Sequence, residues 1–311
     1  MIQKILFLGS KNIGLRVLKL LQEVCPAELQ AVFTMDDRAD SRTEYAAIHA
    51  FCAEKELPLQ IPANRKQTEE MVAAFQPDLC FVTGWYWLFS EVILGLPKAG
   101  FVGIHHSLLP KYRGGAPVVW ALINGESEVG SSLFQFTPEM DDGPLWGQIS
   151  VPVGFDETIG EVLPRLEQAM LDELRSILPE MLDGSRQPVE QDQTQATYGS
   201  QRTPEDGLID WSWSAERVHH FIRAQSSPYP GAFSWLKGEK ITILKARLMQ
   251  ERFDGPSGQV VRIMPEGVIV TCGERGAVVL EQLQCGGAVH PAREVIQSIR
   301  SRFSSHVLAD G

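Results

Sequence analysis

Residues 2–8, IQKILFL, form a continuous apolar run that ends at Gly9 and passes through Ser10 into Gly14-Leu-Arg-Val-Leu-Lys-Leu-Leu, apolar at helical spacing. Strand, glycine turn, helix is the opening of a doubly wound α/β domain. A strand apolar on both faces needs helices packed on both faces, which a mostly parallel sheet provides. Ser10 or Asn12 is placed to cap that helix. A helix start attracts anions, which makes Ser10 a candidate substrate contact. The glycines read G-x-x-x-x-G without a following Lys-Ser/Thr. This is neither a Walker loop nor a dinucleotide fingerprint, so a dehydrogenase is disfavoured.

The α/β pattern continues with strands over Leu29–Thr34, Asp78–Thr83, Gly100–His106, Ser131–Phe136 and Trp146–Val153. Helices are expected over Ala46–Lys55, around Met71–Phe75, from Val118, and over Thr158–Leu182. Residues 184–201, GSRQPVEQDQTQATYGSQ, have linker composition. Beyond them lies a helix apolar at Val218, Phe221 and Ile222, preceded by Asp210 or Ser212 as its cap. Short β patterns follow at Ala232–Leu236, Lys240–Leu244, Gly258–Met264, Gly267–Thr271 and Ala277–Leu283, each punctuated by Gly or Pro. They predict a small, mostly-β, OB-like domain. The expected organisation is a catalytic domain over 1–183, a linker over 184–205 and the OB-like domain over 206–311.

Charge and cysteine usage narrow the function classes. The net charge of −11 divides into −12 over the first 205 residues and +1 over the rest. Neither part is the basic surface from which affinity for a phosphate backbone mostly comes, so nucleic acid is disfavoured as a partner. The five cysteines are scattered, odd in number and without a CxxC pair. They read as reduced thiols of a cytoplasmic protein, neither a disulfide frame nor a zinc site. His219-His220 has no Cys or carboxylate at ligand spacing, so no metal is expected. No apolar run reaches the roughly 18 residues of a membrane span. The N-terminal run reads as a first strand in preference to a signal peptide, because no small-residue cleavage site follows.

The chemistry-bearing stretch is Phe101–Pro117, FVGIHHSLLPKYRGGAP. A strand delivers His105 and His106 to the sheet edge where open α/β sheets bind ligands. His105 is the candidate catalyst, with Asp141 of MDDGP as its carboxylate. A His near neutrality held by a carboxylate can take or supply a proton. His106 points to the opposite face if the strand continues. Asp142 reads as a turn residue. Ser107, Leu109 and Pro110 shape the loop. Lys111, Tyr112 and Arg113 are candidate contacts for phosphate or carboxylate, Arg113 being suited to a bidentate one. Trp85, Tyr86, Trp87 and Leu88 follow a strand end. One of the three aromatics suits a flat heterocycle, and the others read as loop packing.

The run HxSLLPKYRGGAP, then WALINGESEVG, then DDGP after a strand, resembles the 10-formyltetrahydrofolate-dependent formyltransferases. The similarity runs the length of the chain. The closing RTPEDGLIDW…IRA…PYPGAF block is similar to that of enzymes formylating amino groups of nucleotide-linked sugars and, more distantly, to methionyl-tRNA formyltransferase. The resemblance implies formyl transfer from 10-formyltetrahydrofolate to a primary amine, without a metal. It implies an Asn-x-His pair and a downstream Asp as catalysts, matching His105 and Asp141. The Asn position is Gly103. An amide there would polarise the formyl group, a role whose loss elsewhere costs about 100- to 1,000-fold. His106 and backbone N–H groups are the stand-ins available.

The resemblance puts the folate near the loop after the Asp78–Thr83 strand, so Trp85, Tyr86, Trp87 and Leu88 are expected to line it; Ser107, Leu109, Pro110 and Asp141 join them as candidate folate contacts, and Ser10, Lys111, Tyr112 and Arg113 are the candidate acceptor contacts. It implies a small-molecule partner, a nucleotide-linked amino sugar, and a homodimer as in sugar-formylating relatives. Two alternatives stand beside it. One is methionyl-tRNA formyltransferase, whose basic loop after the second strand contrasts with TMDDRADSRTEY at 34–45. The other is a non-catalytic folate- or nucleotide-binding protein, motivated by Gly103.

Overall fold

The computed structural model describes residues 1–305; positions 306–311, the end of the expected 206–311 domain, lie outside the described residues. The chain divides into two compact units. The first comprises Met1–Gly114, Gly130–Val151 and Arg165–Tyr198; the second comprises Gly115–Val129, Pro152–Pro164 and Gly199 onward.

In the first unit, β1 (Ile5–Gly9) leads through α1 (Lys11–Val24) to β2 (Leu29–Phe33), then α2 (Tyr45–Glu54), β3 (Leu59–Gln60), α3 (Arg65–Phe75), β4 (Leu79–Thr83), α4 (Glu91–Leu94) and β5 (Phe101–His105). A short β6 (Arg113–Gly114) follows; α5 (Pro117–Ile123) belongs to the second unit, and the first resumes with most of β7 (Glu128–Gln135), then β8 (Leu145–Pro152) and most of the long α6 (Ile159–Asp183). The main sheet has the order β3-β2-β1-β4-β5-β7-β8. Its first five strands are parallel, and β7 runs antiparallel to β5. This is the doubly wound, mostly parallel sheet expected from the opening residues. Ile5 and Phe7 pack into one cluster with residues of α1, α2 and α6. Leu6 and Leu8, pointing the other way, pack with residues of α3 and α4. Each fully buried Leu or Phe contributes about 1.5–3 kcal/mol, and Ile5, Leu6, Phe7 and Leu8 are all fully buried.

Strand order reverses between β1 and β4, so the crevice of the sheet opens at their carboxyl ends. Ser10 and Gly84 meet there. The Ser10 N–H donates to Thr83 O at 3.1 Å, and its hydroxyl donates to Gly84 O. Ser10 stands at the start of α1 but its side chain makes no cap hydrogen bond.

The second unit is an antiparallel sheet built from β10 (Ala232–Leu236), β11 (Glu239–Met249), β12 (Val260–Met264), β13 (Gly267–Thr271), β14 (Ala277–Cys285), β15 (Ala288–Pro291) and β16 (Phe303–Ser304). β9 (Tyr198–Gly199) pairs with β6 instead. The order is β12-β13-β14-β11-β10-β16, with β15 beside β14. Its two end strands approach each other. Val260 N–H donates to Ser301 O at 3.0 Å and Phe303 N–H to Gly258 O at 2.8 Å, so the sheet curls back on itself. Helices α7 (Ala215–Arg223) and α8 (Ala292–Val295) complete the unit.

One local expectation needs correction. The cap of α7 is neither Asp210 nor Ser212 but Ser214, whose hydroxyl oxygen accepts the Arg217 N–H at 3.2 Å. Residues 210–213 form a turn closed by Trp213 N–H to Asp210 O, with the Asp210 carboxylate on the Ser212 N–H at 2.9 Å, so the helix starts later. The polar stretch 184–201 carries structure of its own. It holds a 3₁₀ turn at Gln193–Gln195, the strand β9, and a buried Gln191.

All five cysteines are free thiols. No described helix is long and apolar enough to cross a membrane. Among the described residues no group of three or more His, Cys, Asp or Glu is arranged to hold a metal ion.

Candidate active site

His105 is the last residue of β5 and Asp141 sits in the 136–144 turn between β7 and β8, which folds back over the sheet edge. The structure brings them together: His105 Nδ1 stands 3.6 Å from Asp141 Oδ2. The other imidazole nitrogen, Nε2, is 2.8 Å from the Tyr112 carbonyl. A carbonyl only accepts, so Nε2 carries hydrogen and Nδ1 is left to face the carboxylate. Asp141 Oδ2 also accepts the Gly114 N–H at 2.7 Å. Asp141 adopts φ +51°, a left-handed conformation that costs a non-glycine residue about 1 kcal/mol or more unless its surroundings compensate.

His106, just past the end of β5, faces elsewhere. Its Nδ1 lies 3.1 Å from Ser131 Oγ, and burial, reinforced by neighbouring His105, pushes its pKa down to about 4. It is a neutral imidazole near pH 7.

Gly103 lies on the same face of β5 as His105. A Cβ there would come within 2.5 Å of Phe136 Cε1, 2.6 Å of Cζ and 2.9 Å of Val82 O. Phe136 therefore fills the space beside His105 that a side chain at 103 would need. Phe134 continues this aromatic wall, 5.1 Å from Phe136 and 6.2 Å from the imidazole, centroid to centroid.

The 107–114 loop is anchored from below. Ser132 Oγ donates to Ser107 O at 2.7 Å and receives the Leu109 N–H at 3.3 Å and Gln148 Nε2 at 2.9 Å. Gln148 also donates to Leu109 O at 2.9 Å. Leu109 is buried, Pro110 half-buried, and Lys111 exposed. Arg113, an expected ligand contact, is only 2% exposed. Its guanidinium donates to Gln191 Oε1, to Gln193 Oε1 at 2.8 Å and to Tyr198 OH at 3.3 Å. Among the described residues no carboxylate pairs with it.

In the loop after β4, Trp85 packs on the core and meets Trp87 edge-on at 5.5 Å. The buried Trp85 Nε1 and Ser107 Oγ have no hydrogen-bond partner among the described residues. Tyr86 donates to Asp40 Oδ2 at 3.0 Å, and Leu88 is 81% exposed. Ser10 is 1% exposed and engaged with the β4 turn. Next to it, Lys11 Nζ bridges Asp37 at 2.7 Å and Asp40 at 2.8 Å. Burial works against its charge, but the two carboxylates outweigh this and hold the ammonium above its usual range.

Sequence reading missed Ser132, Gln148, Gln191 and Phe136. Alternation along β7 and β8 could have placed Ser132 and Gln148 on the site's face. Nothing in the sequence marks Gln191.

A model of the N-terminal formyl transferase domain matches residues 3–182, more than half of the chain, and one of the formyl transferase C-terminal domain matches residues 202–300. The chain belongs to the formyl transferase family. Its fold is similar to solved structures. HypX from Aquifex aeolicus with tetrahydrofolic acid aligns at TM-score 0.62 and 19% identity, over 95% of this chain and 47% of that one. This formyl transferase thus spans about half the length of the HypX structures it matches. An N-formyltransferase from Helicobacter canadensis with folinic acid and dTDP-3-aminofucose aligns at 0.69 and 16%, over 90% and 99%. Methionyl-tRNA formyltransferase from Clostridium thermocellum aligns at 0.56 and 20%, over 79% and 94%.

Proposed function

We propose that this formyl transferase moves a formyl group from 10-formyltetrahydrofolate to a primary amine of a small substrate, a nucleotide-linked amino sugar. The observation that carries the reading is the convergence of His105, Asp141 and the Gly114 N–H at one sheet edge. The folate supplies, when bound, a formyl group activated for attack. The residues fit such a group: Trp85 has a buried indole N–H without a partner, beside Trp87 and the exposed Leu88.

The chain's own part is proton handling and exclusion of water. In the transfer the amine nitrogen bonds to the formyl carbon, the bond from that carbon to the folate nitrogen breaks, and the proton the amine loses balances the one the leaving folate nitrogen takes up. Asp141 is the acceptor available, with His105 fixed against it by the Tyr112 carbonyl. The Phe134–Phe136 wall keeps that edge apolar, which strengthens electrostatic effects there. With Gly103 in place of an amide and both His105 nitrogens already engaged, oxyanion stabilisation falls to backbone N–H groups.

The 34–45 loop favours a small acceptor over tRNA. It carries four acidic and two basic residues. Arg38 pairs with Asp36 at 2.6 Å and Arg42 with Asp40 at 3.0 Å, so its cations are neutralised locally. A phosphate backbone needs free ones. The discriminating experiment compares formylation of nucleotide-linked amino sugars with that of charged initiator tRNA across a salt series. Salt-insensitive activity on the sugars alone supports the reading; salt-sensitive activity on tRNA alone removes it.

A further inference from the structure

Gln191 belongs to a stretch that reads as linker, yet it is only 7% exposed and uses both ends of its amide. Its Oε1 accepts from Arg113 Nε at 3.2 Å and Nη2 at 2.6 Å. Its Nε2 donates to the carbonyls of Asp141 at 2.9 Å and Gly143 at 2.7 Å. A guanidinium only donates and a carbonyl only accepts, so these partners fix the orientation of the amide. Gln193 repeats the arrangement more loosely. Its Oε1 takes Arg113 Nη2 at 2.8 Å and its Nε2 reaches Asp142 O at 3.3 Å. The successive carbonyls of Asp141, Asp142 and Gly143 are thus held by two amides seated on one buried guanidinium.

We propose that Gln191 is a positioning residue of the site: it holds the Asp141 backbone in its left-handed conformation and so aims the carboxylate at His105. The proposal rests on the reading of His105 and Asp141 as the proton-handling pair. Gln191 touches no reacting atom and acts through Asp141. A residue at φ +51° stays there only where its surroundings over-determine it, and the clamp on its own carbonyl and that of Gly143 does this. The arrangement also gives buried Arg113 a purpose that needs no ligand. The guanidinium is the fixed base on which the clamp stands.

The glutamate variant separates hydrogen bonding from packing. Gln191→Glu keeps the shape and the acceptor facing Arg113, but it sets a carboxylate oxygen against two carbonyl oxygens. The reporter is the Gly114 amide, which donates to Asp141 Oδ2. Gln191→Glu is expected to leave the thermal midpoint within a few degrees of the parent. It should accelerate hydrogen exchange at the Gly114 amide about tenfold or more, with β1 amides unchanged. With 10-formyltetrahydrofolate and an accepted amine, kcat should fall roughly 100-fold while the acceptor KM stays within about twofold, as expected of a small misplacement at a reacting centre. If Gln191→Glu does not fold, Gln191→Met, which keeps length and loses both hydrogen-bonding ends, is read the same way. Unchanged Gly114 exchange in the folded variant overturns the proposal whatever happens to kcat. A parent protein that formylates no amine defeats the functional reading alone, because the exchange measurement reports Asp141 placement without turnover.

Discussion

The ring of Phe136 occupies the space in front of Gly103, with Cε1 only 2.5 Å from where a Cβ at 103 would lie. Glycine at this position and the aromatic at 136 are therefore one structural feature. Gly103→Asn is expected to destabilise the protein by about 1–3 kcal/mol, the usual cost of overpacking. Phe136→Ala alone leaves a void. The double variant should be more stable than the two single losses added together, because each change removes the other's conflict. Val82 O, a backbone atom 2.9 Å away, keeps the rescue incomplete. Denaturant midpoints of the three variants provide the check; strict additivity would show that the two residues do not compete for this space.

Asp141 holds the Gly114 N–H and faces His105 Nδ1. Asp141→Asn preserves shape and removes the basic oxygen. Loss of a positioned acid–base group costs typically 10²- to 10⁴-fold, so kcat/KM for formyl transfer is predicted to drop about that far with the fold intact. Turnover near the parent level takes Asp141 out of the mechanism.

Stability should fall on acidification. Burial places the pKa of both His106 and His219 at about 4 in the folded chain, against an ordinary 6.5. Above pH 6.5 both states are neutral and nothing is lost. Between pH 6.5 and 4 the unfolded chain takes up protons that the folded chain refuses, so stability declines by up to about 1.4 kcal/mol per pH unit per histidine. Denaturation at stepped pH reads the slope, and His219→Gln should reduce it by one proton's worth. Constant or rising stability between pH 6.5 and 4.5 contradicts this.

Lys11 is the counter-ion of Asp37, whose side chain is only 3% exposed. Removing one partner of a buried pair costs about 3–5 kcal/mol, because the remaining charge stays buried. Lys11→Met is expected to lower the unfolding midpoint accordingly, and Lys11→Met with Asp37→Asn to recover part of the loss. Equal midpoints for the single and double variants would show that the ion pair carries no weight.

Much of the first unit was legible because parallel strands buried on both faces read as unbroken apolar runs, as at Ile5–Leu8 and Leu79–Val82. His105 and Asp141 were legible through residue type and motif spacing. The clamp behind them was not. Gln191 and Gln193 lie in a polar segment whose composition matches solvent-exposed linkers, and only the fold shows their amides turned inward onto Arg113. Arg113 itself was misleading for the same reason, since a guanidinium looks identical in sequence whether it meets a ligand or two glutamines. Phe136 was invisible as a competitor of Gly103 because one lies on β5 and the other just past the end of neighbouring β7, and register is a tertiary fact. Short strands such as β3 and β16, two residues each, carry too few residues to show a period.

The most direct test of the account is formyl transfer by the parent protein to a panel of nucleotide-linked amino sugars with 10-formyltetrahydrofolate, read by mass spectrometry and paired with Asp141→Asn. The account predicts the mass gain of one formyl group on an amino sugar, and its loss or steep reduction in the variant. Tight folate binding with no transfer to any amine would contradict it.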